Sequence, residues 1–229
     1  MNTTSNRSQL AFGNLVRSGA AVALLAAAAV GCTSSSKSPA SDINGAQSST
    51  PTTTSASPTP SASATQPAGA PVVTLPADLT VDVSFPASGD ATKDAVAQGM
   101  TYALRAYNAA FAAGDGQAPA FQYAWDGMAR PYMAAIIQQL AGRGQTITGT
   151  TRYYAPTITV TDATHAAFTF CEDQSKGFPK DKVTGAVLPS TPSIKDFTEW
   201  NTGLELSAQG VWRVTQTVGE KGSQRCQSA

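Results

Sequence analysis

The amino-acid sequence predicts an α+β domain over residues 72–229, in which the helices precede an antiparallel sheet. Apolar residues recur at helical spacing between residues 91 and 140, and the spacing changes to the period of two that is typical of strands after Gly144. Because helices and strands are grouped along the chain, the pattern favours α+β over an alternating α/β fold. A segment of this length is enough for one domain with its own core.

A short strand and three helices are expected in the first half of the domain. Alternating apolar residues predict the strand over residues 77–86. Asp90 is a typical helix N-cap and Gly114 a typical helix end, so the longest helix should span residues 91–113. A short helical piece over 118–124 and a further helix over 128–140 follow. The longest helix has one apolar stripe, made of Val96, Met100, Ala103, Tyr107 and Phe111.

The second half of the domain has the composition of strands, which favours Thr, Ile and Tyr. Asp162 and Gly210 mark two hairpin turns between these strands. Residues 172–192 are polar, and we expect a long loop there, with a smaller hairpin about Gly185. The predicted strands are 146–154, 156–161, 165–171, 197–206 and 211–218.

Residues 1–31 have the pattern of a bacterial lipoprotein signal peptide. Arg7 and Arg17 are the only charges before Cys32, and residues 20–30 are all apolar. This run is shorter than the roughly 20 residues that cross a bilayer, so it fits the apolar region of a secretory signal. The segment Ala29-Val30-Gly31-Cys32 resembles a lipobox, although Leu is commoner than Ala at its first position. The resemblance implies cleavage before Cys32 and acylation of its sulfur. The alternative is an ordinary secretory signal cut nearby.

Residues 32–71 are predicted to form a disordered tether between that anchor and the domain. Of the 39 residues that follow Cys32 in this segment, 31 are Ser, Thr, Pro or Ala. Such a composition buries too little apolar surface to offset the entropy of ordering. We expect a flexible spacer with a random-coil reach of roughly 35 Å. Two alternatives are a stalk that carries O-linked sugar and a solvated linker with no other role.

The three cysteines cannot all pair with each other. If Cys32 carries lipid, Cys171 and Cys226 remain, and an exported protein exposes both thiols to oxidising conditions. A disulfide between them closes a loop of about 55 residues, which is worth about 4 kcal/mol in the chain-entropy model. Two free thiols are the alternative.

The most distinctive segments of the domain are residues 89–115, 146–160, 168–185 and 210–226. These segments resemble small exported lipoproteins of Streptomyces and related actinobacteria. The order of helices and strands is also similar to the nuclear transport factor 2-like cone fold. These resemblances imply helices packed on a curved sheet and support the disulfide.

Composition excludes several classes of function. Lys and Arg together number 15, as do Asp and Glu, and this neutral balance argues against a nucleic-acid partner. The single histidine, His165, excludes sites with several histidine ligands. We find no metal-ligand spacing and no glycine-rich phosphate loop, so no metal and no cofactor are predicted.

A pocket between helices and sheet is expected if the domain is a cone. Enzymes with this architecture, such as ketosteroid isomerases and polyketide cyclases, use buried Asp, His or Tyr as acid, base and oxyanion donor. Fold alone does not transfer such an activity, and no catalytic residue is assigned. The candidate pocket residues are Asp126, Tyr153, Glu199 and Trp200.

Each candidate has a structural alternative. Asp126 fits a cap for the helix that follows, Glu199 fits a side chain that faces solvent, and His165 fits an exposed hairpin end. Tyr153 and Tyr154 point to opposite faces of a strand, so one of them should enter the core or the pocket. Three lysines of the polar loop, Lys176, Lys180 and Lys182, are candidates for contact with anionic lipid or envelope polymer, or are simply solvated.

The sequence therefore predicts a lipoprotein on the extracytoplasmic face of the cell membrane, held there by its lipid anchor. Its domain is expected to bind a small ligand or an envelope protein without catalysis. Two alternatives remain open. One is a small cone-fold enzyme of the isomerase, cyclase or dehydratase type, and the other is an accessory module for an envelope kinase or penicillin-binding protein.

Overall fold

The computed structural model describes residues 66–188 and 190–228, and its order of elements confirms the α+β class. The strands are β1 Leu79–Val83, β2 Gln145–Val160, β3 His165–Asp181, β4 Phe197–Leu206 and β5 Trp212–Lys221. The helices are α1 Ala91–Ala113, α2 Pro119–Ala124, α3 Ala129–Ala141 and α4 Gln224–Ser228. The predicted signal peptide and Cys32 lie outside the described residues. No helix in the described ranges is long and apolar enough to cross a membrane.

Helix α1 has the boundaries that its sequence predicts, because both ends are fixed by local signals. The Asp90 carboxylate accepts hydrogen bonds from the backbone N–H groups of Thr92 and Lys93. At the other end Gly114 has a φ of 71°, a left-handed conformation that glycine adopts without a steric penalty. The helix lies close to β5, and a Cβ atom at Gly99 would come within 2.7 Å of the Trp212 Cβ atom. Glycine at this position therefore permits the close packing of helix on sheet.

The five strands form one sheet in the order β1-β2-β3-β4-β5. All neighbours are antiparallel except β1 and β2, whose parallel register runs from Leu79 opposite Gly149 to Val83 opposite Tyr153. The predicted antiparallel arrangement therefore holds for β2 to β5, whereas the edge strand β1 is parallel to its neighbour. Three helices connect β1 to β2, which is a connection long enough to return the chain in the same direction.

Strands β2 and β3 are much longer than predicted. The two segments 146–154 and 156–161 belong to one strand, with an irregular register between Tyr154 and Thr157. The polar segment expected to begin a loop at Glu172 instead continues β3 to Asp181, opposite Gln145. Its polar residues resemble a loop locally, but pairing with the distant start of β2 satisfies their backbone groups.

Helices α1, α2 and α3 cover one face of the sheet, which we call the inner face. Its buried residues form one cluster with α1 that includes Phe168, Phe170 and Leu204. The outer face carries a smaller cluster of Tyr154, Cys171 and Cys226. The predicted disulfide between these two cysteines is present and joins α4 to β3.

The folded domain begins earlier than residue 72. The Tyr102 hydroxyl donates a hydrogen bond of 2.7 Å to the Pro71 carbonyl, and Ala70 is buried in the inner cluster. Residues 66–71, which composition assigns to the tether, thus pack against the domain. The sequence does not predict these contacts, because they involve only the backbone carbonyl of Pro71 and the methyl group of Ala70.

Candidate functional site

Glu172 is the one charged residue of the described chain that is buried, with 3% of its surface exposed. It lies on the inner face of β3, where the side chains of Phe168 and Phe170 precede it at the spacing of two residues. The alternation that begins at Ala166 therefore carries straight into Glu172. Sequence reasoning missed this residue because the polar residues after it suggested a loop.

Three neutral donors hold the Glu172 carboxylate. Oε1 accepts hydrogen bonds from the Tyr153 hydroxyl at 3.0 Å and from the Gln174 amide nitrogen at 2.9 Å. Oε2 accepts one from the Trp200 indole nitrogen at 2.8 Å. The indole and the amide nitrogen can only donate, so the network suits an ionised carboxylate. A carboxylate offers about four acceptor positions, which leaves one on Oε2 unused.

Asn108 extends this network into α1. Its Nδ2 donates to the Tyr153 hydroxyl at 2.8 Å and to the Leu104 carbonyl at 2.9 Å. Because a carbonyl accepts only, the nitrogen of the Asn108 amide must be on this side. The amide oxygen points elsewhere and accepts no hydrogen bond from any described residue. Asn108 as a residue is 2% exposed.

Burial dominates the electrostatics of the network. Removal from water raises the pKa of the Glu172 carboxyl, although the bonds from Trp200, Gln174 and Tyr153 act in the opposite direction. Burial also raises the pKa values of the Tyr153 and Tyr107 hydroxyls, and the nearby Glu172 charge raises both further. Both tyrosines consequently keep their protons at neutral pH. Glu172 forms no salt bridge within residues 66–188 and 190–228.

A cavity of about 150 Å³ lies beside Glu172, between α1, the end of α3 and the paired strands β2 and β3. The polar residues of its lining are Glu172, Asn108, Gln174, Thr148 and Thr151. The Tyr107 hydroxyl also has no hydrogen-bond partner in the described residues. The aromatic and aliphatic lining consists of Tyr107, Phe111, Phe178, Leu79, Leu140, Ile147 and Pro179.

A glycine on β5 makes room for the Trp200 indole. Gly219 is directly opposite Trp200 in the register of β4 and β5. A Cβ atom at position 219 would lie 2.8 to 2.9 Å from three carbons of the Trp200 ring. The ring therefore rests on the backbone of β5, in the position from which its nitrogen reaches Glu172.

The structure brings together two of the four predicted pocket residues. Tyr153 and Trp200 both contact Glu172. Glu199 precedes Trp200 and so points to the outer face, where it pairs with Arg225 at 3.2 Å. The Ser223 hydroxyl donates to the same carboxylate at 3.1 Å. Placing Glu199 in the pocket is thus wrong, because adjacent strand residues face opposite ways.

Asp126 is also outside the cavity. Its carboxylate forms ion pairs with Arg130 at 2.7 Å and Arg213 at 2.6 Å, and its side chain is 39% exposed. Arg130 lies four residues further along the chain, which places its guanidinium next to Asp126 at the start of α3. The expectation that Asp126 lines the pocket is wrong, and its role is an ion pair that links α3 to β5.

The remaining charged candidates lie on the surface. His165 begins β3 and contacts the Asp162 carboxylate, and the hydrogen bond that the imidazole donates to this carboxylate raises the pKa of the imidazole. Lys180 pairs with Asp78, and Lys182 donates to the Ala113 carbonyl at 3.0 Å. Lys176 is exposed and has no such partner among the described residues. Of the three lysines, only Lys176 thus has a side chain without a hydrogen bond or ion pair to another described residue.

A larger groove of about 630 Å³ lies where β1 ends and α1 begins. Its carboxylate, Asp94, accepts hydrogen bonds from the backbone and the hydroxyl of Ser88, and its Arg105 is only half-buried. It lacks a buried charge, which makes the Glu172 cavity the stronger candidate. No group of three or more potential metal ligands comes together in the part of the chain that the structure describes.

Comparison with known proteins does not assign the chain to a family. No family model and no curated protein matches the chain. A ketosteroid isomerase-like protein from Erwinia carotovora atroseptica is 21% identical, with a TM-score of 0.35, and the match covers 53% of this chain and 92% of that one. A protein from Catenulispora acidiphila is 12% identical, with a TM-score of 0.40 and coverages of 60% and 99%. A cystatin-like domain from Nostoc punctiforme is 12% identical, with a TM-score of 0.36 and coverages of 62% and 84%. Similarities this low say nothing about activity.

Proposed function

We propose that this protein is an extracytoplasmic lipoprotein whose domain binds a small ligand in the Glu172 cavity without catalysing a reaction. The observation that carries the proposal is a buried carboxylate that faces a cavity and is met only by neutral donors. Taking a charge out of water is costly, so a domain without a use for it would be more stable with an apolar residue there. A ligand that contacts Glu172 supplies such a use.

The arrangement of the carboxylate favours binding over catalysis. The cavity measures about 150 Å³, below the roughly 300 to 1,000 Å³ of ligand pockets in general, so it admits only a small ligand. A general base must also reach the proton that it removes. Glu172 Oε1 already accepts two hydrogen bonds, and the tyrosines beside it hold their protons tightly.

The location is proposed from the sequence alone. The charges at Arg7 and Arg17, the apolar run over 20–30 and the lipobox-like segment that ends at Cys32 support a lipid anchor. In a membrane fractionation, the wild-type chain should sediment with membranes, and a Cys32→Ala variant should be released or remain as uncleaved precursor. If the variant is cleaved and held in the membrane like the wild type, acylation at Cys32 is excluded.

The ligand site has its own test, in which organic molecules released from the denatured full chain are identified by mass spectrometry. Leu140 lines the cavity, whereas Ile136, one turn earlier in α3, packs on the core outside it. A Leu140→Trp variant should lose the co-purifying molecule, and the matched Ile136→Trp variant should keep it. Equal release from both variants, or release of nothing from the wild type, would contradict the proposal.

A cone-fold enzyme is the second candidate, because a buried carboxyl with a raised pKa is typical of a general base. The unpartnered Tyr107 hydroxyl would then polarise a carbonyl. This alternative predicts that the wild-type chain accelerates exchange of the α-protons of small ketones into heavy water, and that Glu172→Gln does not. Such a difference between the two chains would refute the non-catalytic proposal.

A further inference from the structure

Four hydrogen bonds of the Glu172 network run toward the carboxylate. Asn108 donates to the Tyr153 hydroxyl, and that hydroxyl donates to Glu172. The Trp200 indole and the Gln174 amide donate to the carboxylate directly. The network therefore leaves acceptor capacity on Glu172 and on the amide oxygen of Asn108, and both residues line the cavity.

A ligand that satisfies these acceptors must bring N–H or O–H donors. Hydrogen bonds to a charged group contribute more than bonds between neutral groups, so a donor that reaches the Glu172 carboxylate has an advantage. A group with several hydrogens on one atom, such as an –NH₃⁺ group, can donate to more than one acceptor. An anion is excluded, because it would bring a second negative charge next to Glu172.

The charge balance separates a cation from a neutral donor. Glu172 has no salt bridge in the described residues, and Lys221, which is exposed, acts on it only at a distance. A positive charge in the cavity would form a charge-assisted hydrogen bond in a place with little water. The rings of Tyr107, Phe111 and Phe178 line the same cavity, and aromatic rings attract cations.

We propose that the Glu172 cavity binds a small primary ammonium group, carried by a molecule or side chain of few heavy atoms. The volume of about 150 Å³ corresponds to about five water molecules at liquid density, which limits the enclosed part of the ligand to that size. This inference rests on the proposed function and adds the chemical class of the ligand.

The test is calorimetric titration of the full chain at neutral pH with four probes of equal size. Isobutylammonium has both charge and donors, isobutanol has a donor but no charge, tetramethylammonium has charge but no donor, and isobutyrate is an anion. We expect isobutylammonium to bind at least about tenfold more tightly than isobutanol or tetramethylammonium, a difference of about 1.4 kcal/mol. Isobutyrate should give no heat of binding.

The variants Glu172→Gln and Glu199→Gln give the matched comparison, because both remove one charge from the sheet. Glu172→Gln should remove the preference for isobutylammonium over isobutanol, whereas Glu199→Gln, on the outer face, should keep it. If the wild-type chain binds isobutanol as tightly as isobutylammonium, the ammonium inference fails while ligand binding in the cavity stands. If no probe binds, the inference also fails, and mass spectrometry of the Leu140→Trp pair still decides the proposed function.

Discussion

The contact between Gly219 and Trp200 predicts that a single methyl group on β5 will disturb Glu172. In Gly219→Ala, the new Cβ atom would meet three ring carbons at 2.8 to 2.9 Å. Carbon atoms pack at about 3.5 to 4.0 Å, so the ring must move by about 0.7 Å or more. The Trp200–Glu172 hydrogen bond now measures 2.8 Å, and a movement of that size away from Glu172 would break it.

The expected destabilisation follows from these two effects. Overpacking a filled site usually costs about 1 to 3 kcal/mol. Loss of a hydrogen bond to a charged group costs about 1.5 to 3 kcal/mol. Alanine recovers roughly 0.5 to 1 kcal/mol of the backbone entropy that glycine loses in a strand. We therefore expect Gly219→Ala to lower the free energy of unfolding by about 2 to 4 kcal/mol.

Urea unfolding of the full chain measures this change, and Gly203 supplies the control. Gly203 lies in β4, and a Cβ atom there would sit 3.5 Å from the Gln216 side chain, which is ordinary contact. Gly203→Ala should change the free energy of unfolding by no more than about 0.5 kcal/mol. Equal stability of the two variants, with the Trp200 indole N–H resonance unmoved in both, would refute the reasoning about this contact.

Three further predictions concern the buried charge of Glu172, the backbone at Gly149 and the disulfide. Because burial raises the pKa of Glu172, the folded chain retains the Glu172 proton to higher pH than the unfolded chain does. The wild-type free energy of unfolding, measured relative to Glu172→Gln, should therefore fall as pH rises above about 4.3, the ordinary glutamate pKa. It should level off at pH values above the raised pKa. Tyr107 and Tyr153, whose pKa values burial raises, stay protonated in this range, and a flat difference would contradict the raised pKa of Glu172. Gly149→Ala should destabilise the chain far more than Gly144→Ala in urea unfolding. Both residues have positive φ, but only at Gly149 would the methyl group collide with a backbone carbonyl, that of Lys176. Similar urea midpoints for the two variants would exclude the collision. Cys171→Ala/Cys226→Ala should lower the free energy of unfolding by about 4 kcal/mol, the chain-entropy value for this loop, and a loss below about 1 kcal/mol would show that the bridge constrains little.

Local signals explain what the sequence predicted well. The ends of α1 are set by Asp90 and Gly114, which act on their immediate neighbours. The apolar stripe along that helix likewise identifies its buried face without knowledge of the sheet. The disulfide followed from the count of cysteines and from the expected export, and neither depends on the path of the chain.

Long-range pairing explains what the sequence did not predict. Residues 172–181 form a strand only because the start of β2, separated by a hairpin, pairs with them. Glu172 was therefore placed in a loop, although its alternation with Phe168 and Phe170 indicated an inward side chain. Asn108 lies within the helical pattern, but its partner Tyr153 is 45 positions away, and only the fold brings the two together.

The central claim is that the Glu172 cavity is a binding site. The position of the Trp200 indole resonance tests this claim most directly. The indole nitrogen of Trp200 donates to Glu172, whereas that of Trp125 donates to the Ala103 carbonyl away from the cavity. In a nitrogen-15 spectrum of the full chain, added isobutylammonium should shift the Trp200 signal along a saturable curve and leave the Trp125 signal in place. A Trp200 signal that stays fixed at high concentrations of isobutylammonium, or moves only together with Trp125, would contradict the account.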